Sequence, residues 1–320
     1  KIAQRCGVTT AADLLSDLNT KEVAMLEAVT GQADFPIRYV PIMNAMENDP
    51  NIEAKRALEL RSRSTDKLHL GRAKLFTDGA IQAGTAKLKK PGYFKIKGHG
   101  IWNMDVAHFK NAVKVLHEAG VKTHIHCNGD LASELAISAY EEAFLDSSNP
   151  NLRHTLEHVQ LADISQFRRM RSLGLTANIF ANHLYYFGDI HWTKSIGPER
   201  SMRMDACKDA LDIFDGCFAI HSDAPVTPMA PLFTAWCAVN RKTQSGRILG
   251  ESQKISIEEA LYAITMGAAF ILKMEEQIGS ISPGKRADFA ILGEDPTIVK
   301  PKNLKDVPVI GTILDGTLTT

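Results

Sequence analysis

The sequence predicts an α/β fold: a barrel of parallel strands, each followed by a helix, with a small β-domain at the C-terminus. Three observations carry this. Short apolar runs alternate with amphipathic helical patterns along most of the chain, as β-α units and a parallel sheet require. Several runs end in a lone polar group, as in Ala219-Ile220-His221-Ser222-Asp223-Ala224-Pro225, and the C-terminal tips of barrel strands are where chemistry sits. The tail then turns to short strand patterns separated by Pro-Gly and Asp-Gly turns.

The elements follow in order. Val8-Thr9-Thr10 and Ile37 to Ile42 read as strands, and Lys74-Leu75-Phe76 as a third, with a lysine inside an apolar run. Val106, Phe109, Val113 and Leu116 mark one helix face, stopped by Gly120. Strand 121–126 follows, then a helix from Leu131 to Phe144 capped by Asp130. Strand 152–158 precedes a helix opened by Asp163 and ended by Gly174. Strand 175–179, a short helix from Asp205 to Phe214 and strand 217–222 complete the series. Ser256-Ile257-Glu258-Glu259 is a capping box. This gives about seven core strands where a closed barrel needs eight. In the tail, Ile278 to Ile281, Ala287 to Leu292 and Val309 to Leu314 read as strands. The expected division is a barrel over 1–275 and the β-domain over 276–320.

Composition narrows the function. There are 320 residues, and 37 basic against 37 acidic side chains leave no net charge. Phosphate binding would want a basic stripe, so a nucleic-acid partner is not expected. No apolar run reaches the length of a membrane span, and no signal peptide opens the chain. The five cysteines (Cys6, Cys127, Cys207, Cys217, Cys237) lack metal-type spacing and read as reduced thiols of a cytoplasmic enzyme. The chain opens at Lys1, directly before Gly7-Val8-Thr9-Thr10, and is read as a fragment that starts inside a longer protein.

The candidate site residues sit at strand tips. His124 and His126 alternate onto one face, with His126 at the tip and His124 one layer deeper. His158 closes the strand 152–158, with His154 deeper and Glu157 facing the other side. Singly, each is more often a packed core histidine. Two tip histidines with Asp223 suit zinc or a similar divalent ion. Lys74 is costly within a strand unless paired or altered. A salt bridge to Asp78 or Asp223 is one reading. The other is a carbamate of its amine, an anionic group able to bridge two metals. His183 and His191 flank an aromatic loop, Leu184 to Asp189, that would overhang the site. His221 shares a face with Asp223. His108 and His117 read as solvated, and His69 and His99 as loop residues.

These runs resemble the amidohydrolase superfamily, in the branch typified by N-substituted formamide deformylase. The likeness lies in Gly7-Val8-Thr9-Thr10, Lys74-Leu75-Phe76-Thr77-Asp78-Gly79, His126-Cys127-Asn128-Gly129-Asp130, Arg153 to Gln160, Ser222-Asp223-Ala224-Pro225 and Ile278 to Asp288, in that order. The resemblance implies a distorted (β/α)8 TIM-type barrel with strands 2–8 present and strand 1 missing. Part of a β-sandwich would follow at the C-terminus. It implies one or two divalent metals, usually zinc, held by Lys74 as a carboxylated bridge, His126, His158 and Asp223. Asp223 would be the general acid/base. Apart from the resemblance, His183, His221 and Asp78 are read as candidate contacts to a small-molecule substrate. The family's first-strand His-x-His has no counterpart before Val8. The first metal should therefore bind weakly or not at all, and the loss should leave two unpaired strand edges.

The expected activity is hydrolysis of a non-peptide, amide-like C–N bond by a metal-activated water. An esterase, lactonase or deaminase would use the same site, and a catalytically incompetent fragment that binds a ligand or partner is the reading from another class. A homodimer stays open.

Overall fold

The computed structural model describes residues 1–319. Seven parallel strands form one curled sheet in chain order: β1 (Thr10–Ser16), β2 (Arg38–Asn44), β3 (Ala73–Phe76), β4 (Thr123–Cys127), β5 (Thr155–His158), β6 (Thr176–Ile179) and β7 (Ala219–Ile220). This is the distorted TIM-type barrel of the expectation, with one strand position open. Strands β1 and β7 form no ladder with each other, and between them lies a cavity of about 430 Å³.

Register explains which side chains reach the interior. Lys74 stands opposite His124 and His124 opposite Thr155, while Phe76, His126, Glu157, Asn178 and Ala219 share the next level. The alternate residues Leu75, Ile125, Leu156, Ala177 and Ile179 face the helices and join the main hydrophobic core. Two-sided burial accounts for strands that read as continuous apolar runs.

Helices cover that outer face because their caps and apolar stripes fit it. Asp105 accepts from the His108 amide at 2.9 Å to open the helix Val106–Glu118. Full capping boxes, Asp163 with Gln166 and Ser256 with Glu259, open Ile164–Ser172 and Ile257–Ile264. At Asp130–Asp146 the cap is Gly129, and Asp130 lies in the first turn rather than at the expected cap. Its carboxylate is used elsewhere, accepting from the Lys89 amide at 2.8 Å.

Three further expectations are corrected. Residues 183–191 are not a loop but a helix, His183–Ile190, continued by a π-helical turn at His191–Ser195. His117 is not solvated but buried, because the helix turns it toward the sheet. Ile278–Ile281 is not a strand: Gly279 at φ +92° breaks the extension, and among the described residues no strand pairs there. The remaining tail strands, β8 (Phe289–Leu292), β9 (Val309–Leu314) and β10 (Thr317–Thr319), form an antiparallel sheet in the order β10-β9-β8. The fully buried Arg38 guanidinium on β2 ties this sheet to the barrel through Asp288 at 3.1 Å and Asp315 at 2.5 Å, with Asp66 at 2.8 Å.

Candidate active site

Lys74 from β3, His126 from β4, His158 from the end of β5 and Asp223 after β7 all line one cavity of about 410 Å³ at the strand tips. His183 lines it as well. Asp223 also borders the cavity between β1 and β7, where His221 faces in. Distant parts of the chain therefore converge on one small volume.

His158 reaches this volume by an unexpected route. On β5 it is Glu157 that alternates inward, level with His126, so the sequence assignment of Glu157 to the far side is reversed. Glu157 accepts from His124 Nδ1 at 2.7 Å and from Asn178 Nδ2 at 2.7 Å. Against the upward push of burial, the His124 hydrogen bond holds its carboxyl at about 2. His158 would then point outward, but its backbone is left-handed, at φ +70°, and Val159 follows at φ +40°. Such values are unusual for a histidine and strained for a β-branched valine. The turn at His158 swings its imidazole inward, where it meets the His126 ring edge-on at 4.6 Å.

His158, His221 and Asp223 each bring one ligand atom within 4.8 Å of the others. His158 Nδ1 and His221 Nε2 are 3.2 Å apart. Asp223 is also left-handed, at φ +52°, a conformation aspartate tolerates better than most residues. Burial pushes the pKa of His158 well down and that of His221 down, so both rings stay neutral with lone pairs to offer. Two neutral imidazoles and a carboxylate suit a divalent ion, so the residues present fit one.

His126 stands next to this group rather than in it. Its Nε2 lies 3.0 Å from the Gly79 carbonyl and 3.1 Å from Asn128 Nδ2, and burial followed by the Lys74 charge takes its pKa to about 3. Lys74 is 2 % exposed and its Nζ sits 5.0 Å over the Phe76 ring. Among the described residues it forms no salt bridge, to Asp78, Asp223 or any other carboxylate. Burial lowers its pKa, against the pull of Glu157 and Asp223.

Asp78, expected near substrate, does not line the cavity. It is fully buried below it and accepts backbone N–H groups of Asn128 at 3.0 Å, Gly129 at 2.8 Å and Lys87 at 2.8 Å. It thus shapes the turn after β4 that carries His126 and Asn128. Gly129 is required there, since a Cβ would meet the Lys87 carbonyl at 1.9 Å. The sequence reading missed Asp13, Phe180 and Asn128, which also line the cavity. Asn128 immediately follows the strand tip, a position that could have marked it.

The amidohydrolase family profile matches residues 3–320. The chain belongs to the amidohydrolase family. It is 30% identical to N-substituted formamide deformylase of Arthrobacter pascens over 203 residues, 62% of this chain and 36% of that protein. It is 29% identical to YtcJ of Bacillus subtilis (strain 168) over 263 residues, 81% of this chain and 48% of that protein. The chain spans about half the length, or less, of these curated relatives. In structure it is similar to an uncharacterized metal-dependent hydrolase from Pyrococcus horikoshii OT3, with a TM-score of 0.76 at 23% identity, covering 92% of this chain and 58% of that one. It is also similar to an adenosine deaminase from Xanthomonas campestris with bound zinc, with a TM-score of 0.61 at 16% identity, covering 98% and 66%. These two likenesses establish the fold. Among the described residues no helix is long and apolar enough to cross a membrane.

Proposed function

We propose that this amidohydrolase cleaves a carbon–nitrogen bond of the amide or formamide kind, outside peptides, in a small cytoplasmic substrate. The observation that carries the reading is the convergence of His158, His221 and Asp223 beside Lys74 and His126. The name of the Arthrobacter relative supports the bond class. His158, His221 and Asp223 would hold a divalent metal, zinc for preference, which supplies a Lewis acid for the carbonyl and makes water in the site more acidic.

The chain's own groups do the rest. Asp223 takes the proton of the attacking water and returns it to the leaving amine. Burial lowers the pKa of the Lys74 amine, and its neutral form is the one that attacks carbon dioxide. A new N–C bond forms, one proton leaves to solvent, and an anionic carbamate is left beside His126 as a second ligand group. His183 closes the wall where the substrate carbonyl would lie.

Asp223→Asn tests the role directly. On a panel of formamides, cyclic amides and esters, measured at saturating metal because a neutral amide replaces one of the three ligands, kcat should fall by about 100- to 10,000-fold. Near-normal turnover removes Asp223 from the chemistry. Cleavage of esters alone would move the activity to another bond class.

A further inference from the structure

We infer that His191 is a positioning residue, which holds His183 as an N–H donor aimed at the oxygen of the substrate carbonyl. The inference rests on the hydrolase reading above. His183 opens the helix His183–Ile190 and lines the cavity. Its ring is gripped by Phe180 at 4.8 Å and Phe187 at 4.7 Å between centroids. Behind it His191, fully buried, stacks at 4.9 Å with its Nε2 3.0 Å from His183 Nδ1. His191 is the first residue of the π-helical turn, and such turns re-aim a side chain at functional sites more often than elsewhere.

The hydrogen bonds decide the tautomers. Burial takes His191 down to about 3 and His183 well below its usual value, so each ring carries one proton. Among the described residues His191 Nδ1 is buried with no partner. A buried N–H without an acceptor is rarer in folded proteins than an acceptor without a donor. The His191 proton therefore sits on Nε2 and is donated to His183 Nδ1. The His183 proton is left on Nε2, the one polar atom of that ring still free to meet a ligand. A donor fixed before the reaction stabilises the negative charge that builds on a carbonyl oxygen during attack.

Long-range 1H–15N correlation spectra of the chain labelled with 15N-histidine test this, with the His183 signals identified by their loss in His183→Phe. The expected pattern is Nε2 protonated and Nδ1 bare. His191→Gln keeps a donor near the same place and should keep the pattern. His191→Met removes the donor and should give mixed tautomers. With a cleaved substrate, His191→Met should lower kcat about 10- to 100-fold, as losing the partner behind a metal-bound histidine does, with KM little changed and His191→Gln close to wild type. Protonated Nδ1 on His183 in the wild-type chain, or an unchanged pattern in His191→Met, overturns the inference. The expected spectra without cleavage of any substrate would uphold the positioning and overturn the hydrolase reading. If His191→Met does not fold, the wild-type and His191→Gln spectra still decide.

Discussion

Two groups of histidines sit at opposite ends of the same strands, and they treat their ring nitrogens differently. At the N-terminal end, between sheet and helices, runs a one-way chain. The Thr123 amide donates to His154 Nδ1 at 3.1 Å, His154 Nε2 to His117 Nδ1 at 3.0 Å, and His117 Nε2 to the Ser147 carbonyl. Tyr140 stacks on His154 and Phe144 on His117. Every ring nitrogen is spent within the protein. At the C-terminal end His158 and His221 face each other and a carboxylate across an open cavity. Histidine count does not separate the two groups. What separates them is whether nitrogens remain to be satisfied from outside.

The largest effect should come from the open end. His158→Ala should weaken metal binding by more than about 100-fold, since even an outer partner of a ligand is worth 10- to 100-fold. Metal titration followed by elemental analysis reads this, and unchanged affinity would place the ion elsewhere. At the closed end, His154→Leu strands the Thr123 amide and His117 Nδ1. It should cost about 2–4 kcal/mol of stability in urea unfolding while sparing metal binding. A loss of metal without loss of stability would reverse the comparison.

Acid probes the same contrast. Burial holds His154 well below its usual value, as it holds His191 at about 3. The unfolded chain takes up these protons near 6.5 and the folded chain does not. Stability is therefore full above that pH and is lost as pH falls below it, by about 1.4 kcal/mol per pH unit for each such histidine. Urea midpoints that stay flat from pH 7 to 5 would contradict this. The smallest effect concerns Lys74. Replacing this unpaired buried amine by methionine should leave stability unchanged or raise it by about 1 kcal/mol, while the second ligand group is lost. Clear destabilisation would show that the amine is held for structure.

Much of this was legible in the chain. The strand runs from Ile37 to Ser222 appear in the sheet in the order read, because buried parallel strands are largely apolar, whereas β1 lies at Thr10–Ser16, beyond the Val8–Thr10 read for it, and is mostly exposed or half-buried. The capping box at Ser256 and the helix start at Asp163 were readable because the residues that make them lie close together in the chain. Lys74, His126, His158 and Asp223 were found as polar groups at or near strand tips. What was hidden depended on distant partners or on backbone handedness. His117 looked solvated among polar neighbours, and its burial is explained by His154, just before β5, together with Phe144 and the Ser147 carbonyl. Asp78 looked like a substrate contact until the amides of Lys87, Asn128 and Gly129 closed on it. Burial also pushes its carboxyl up to about 7 against those amides. The helix at 183–190 was read as a loop because its aromatic run carries no simple face.

At the tip of β5 two neighbouring residues serve the same interior, Glu157 through the ordinary pleat and His158 through the positive φ that follows. The aim of that imidazole is thus stored in peptide torsions, not in the side chains packed around it. The joint that steers it is the N–Cα bond of His158 itself. A change nearby that returned this φ to the extended range would turn a metal ligand away from the cavity while leaving every ligand in the sequence intact.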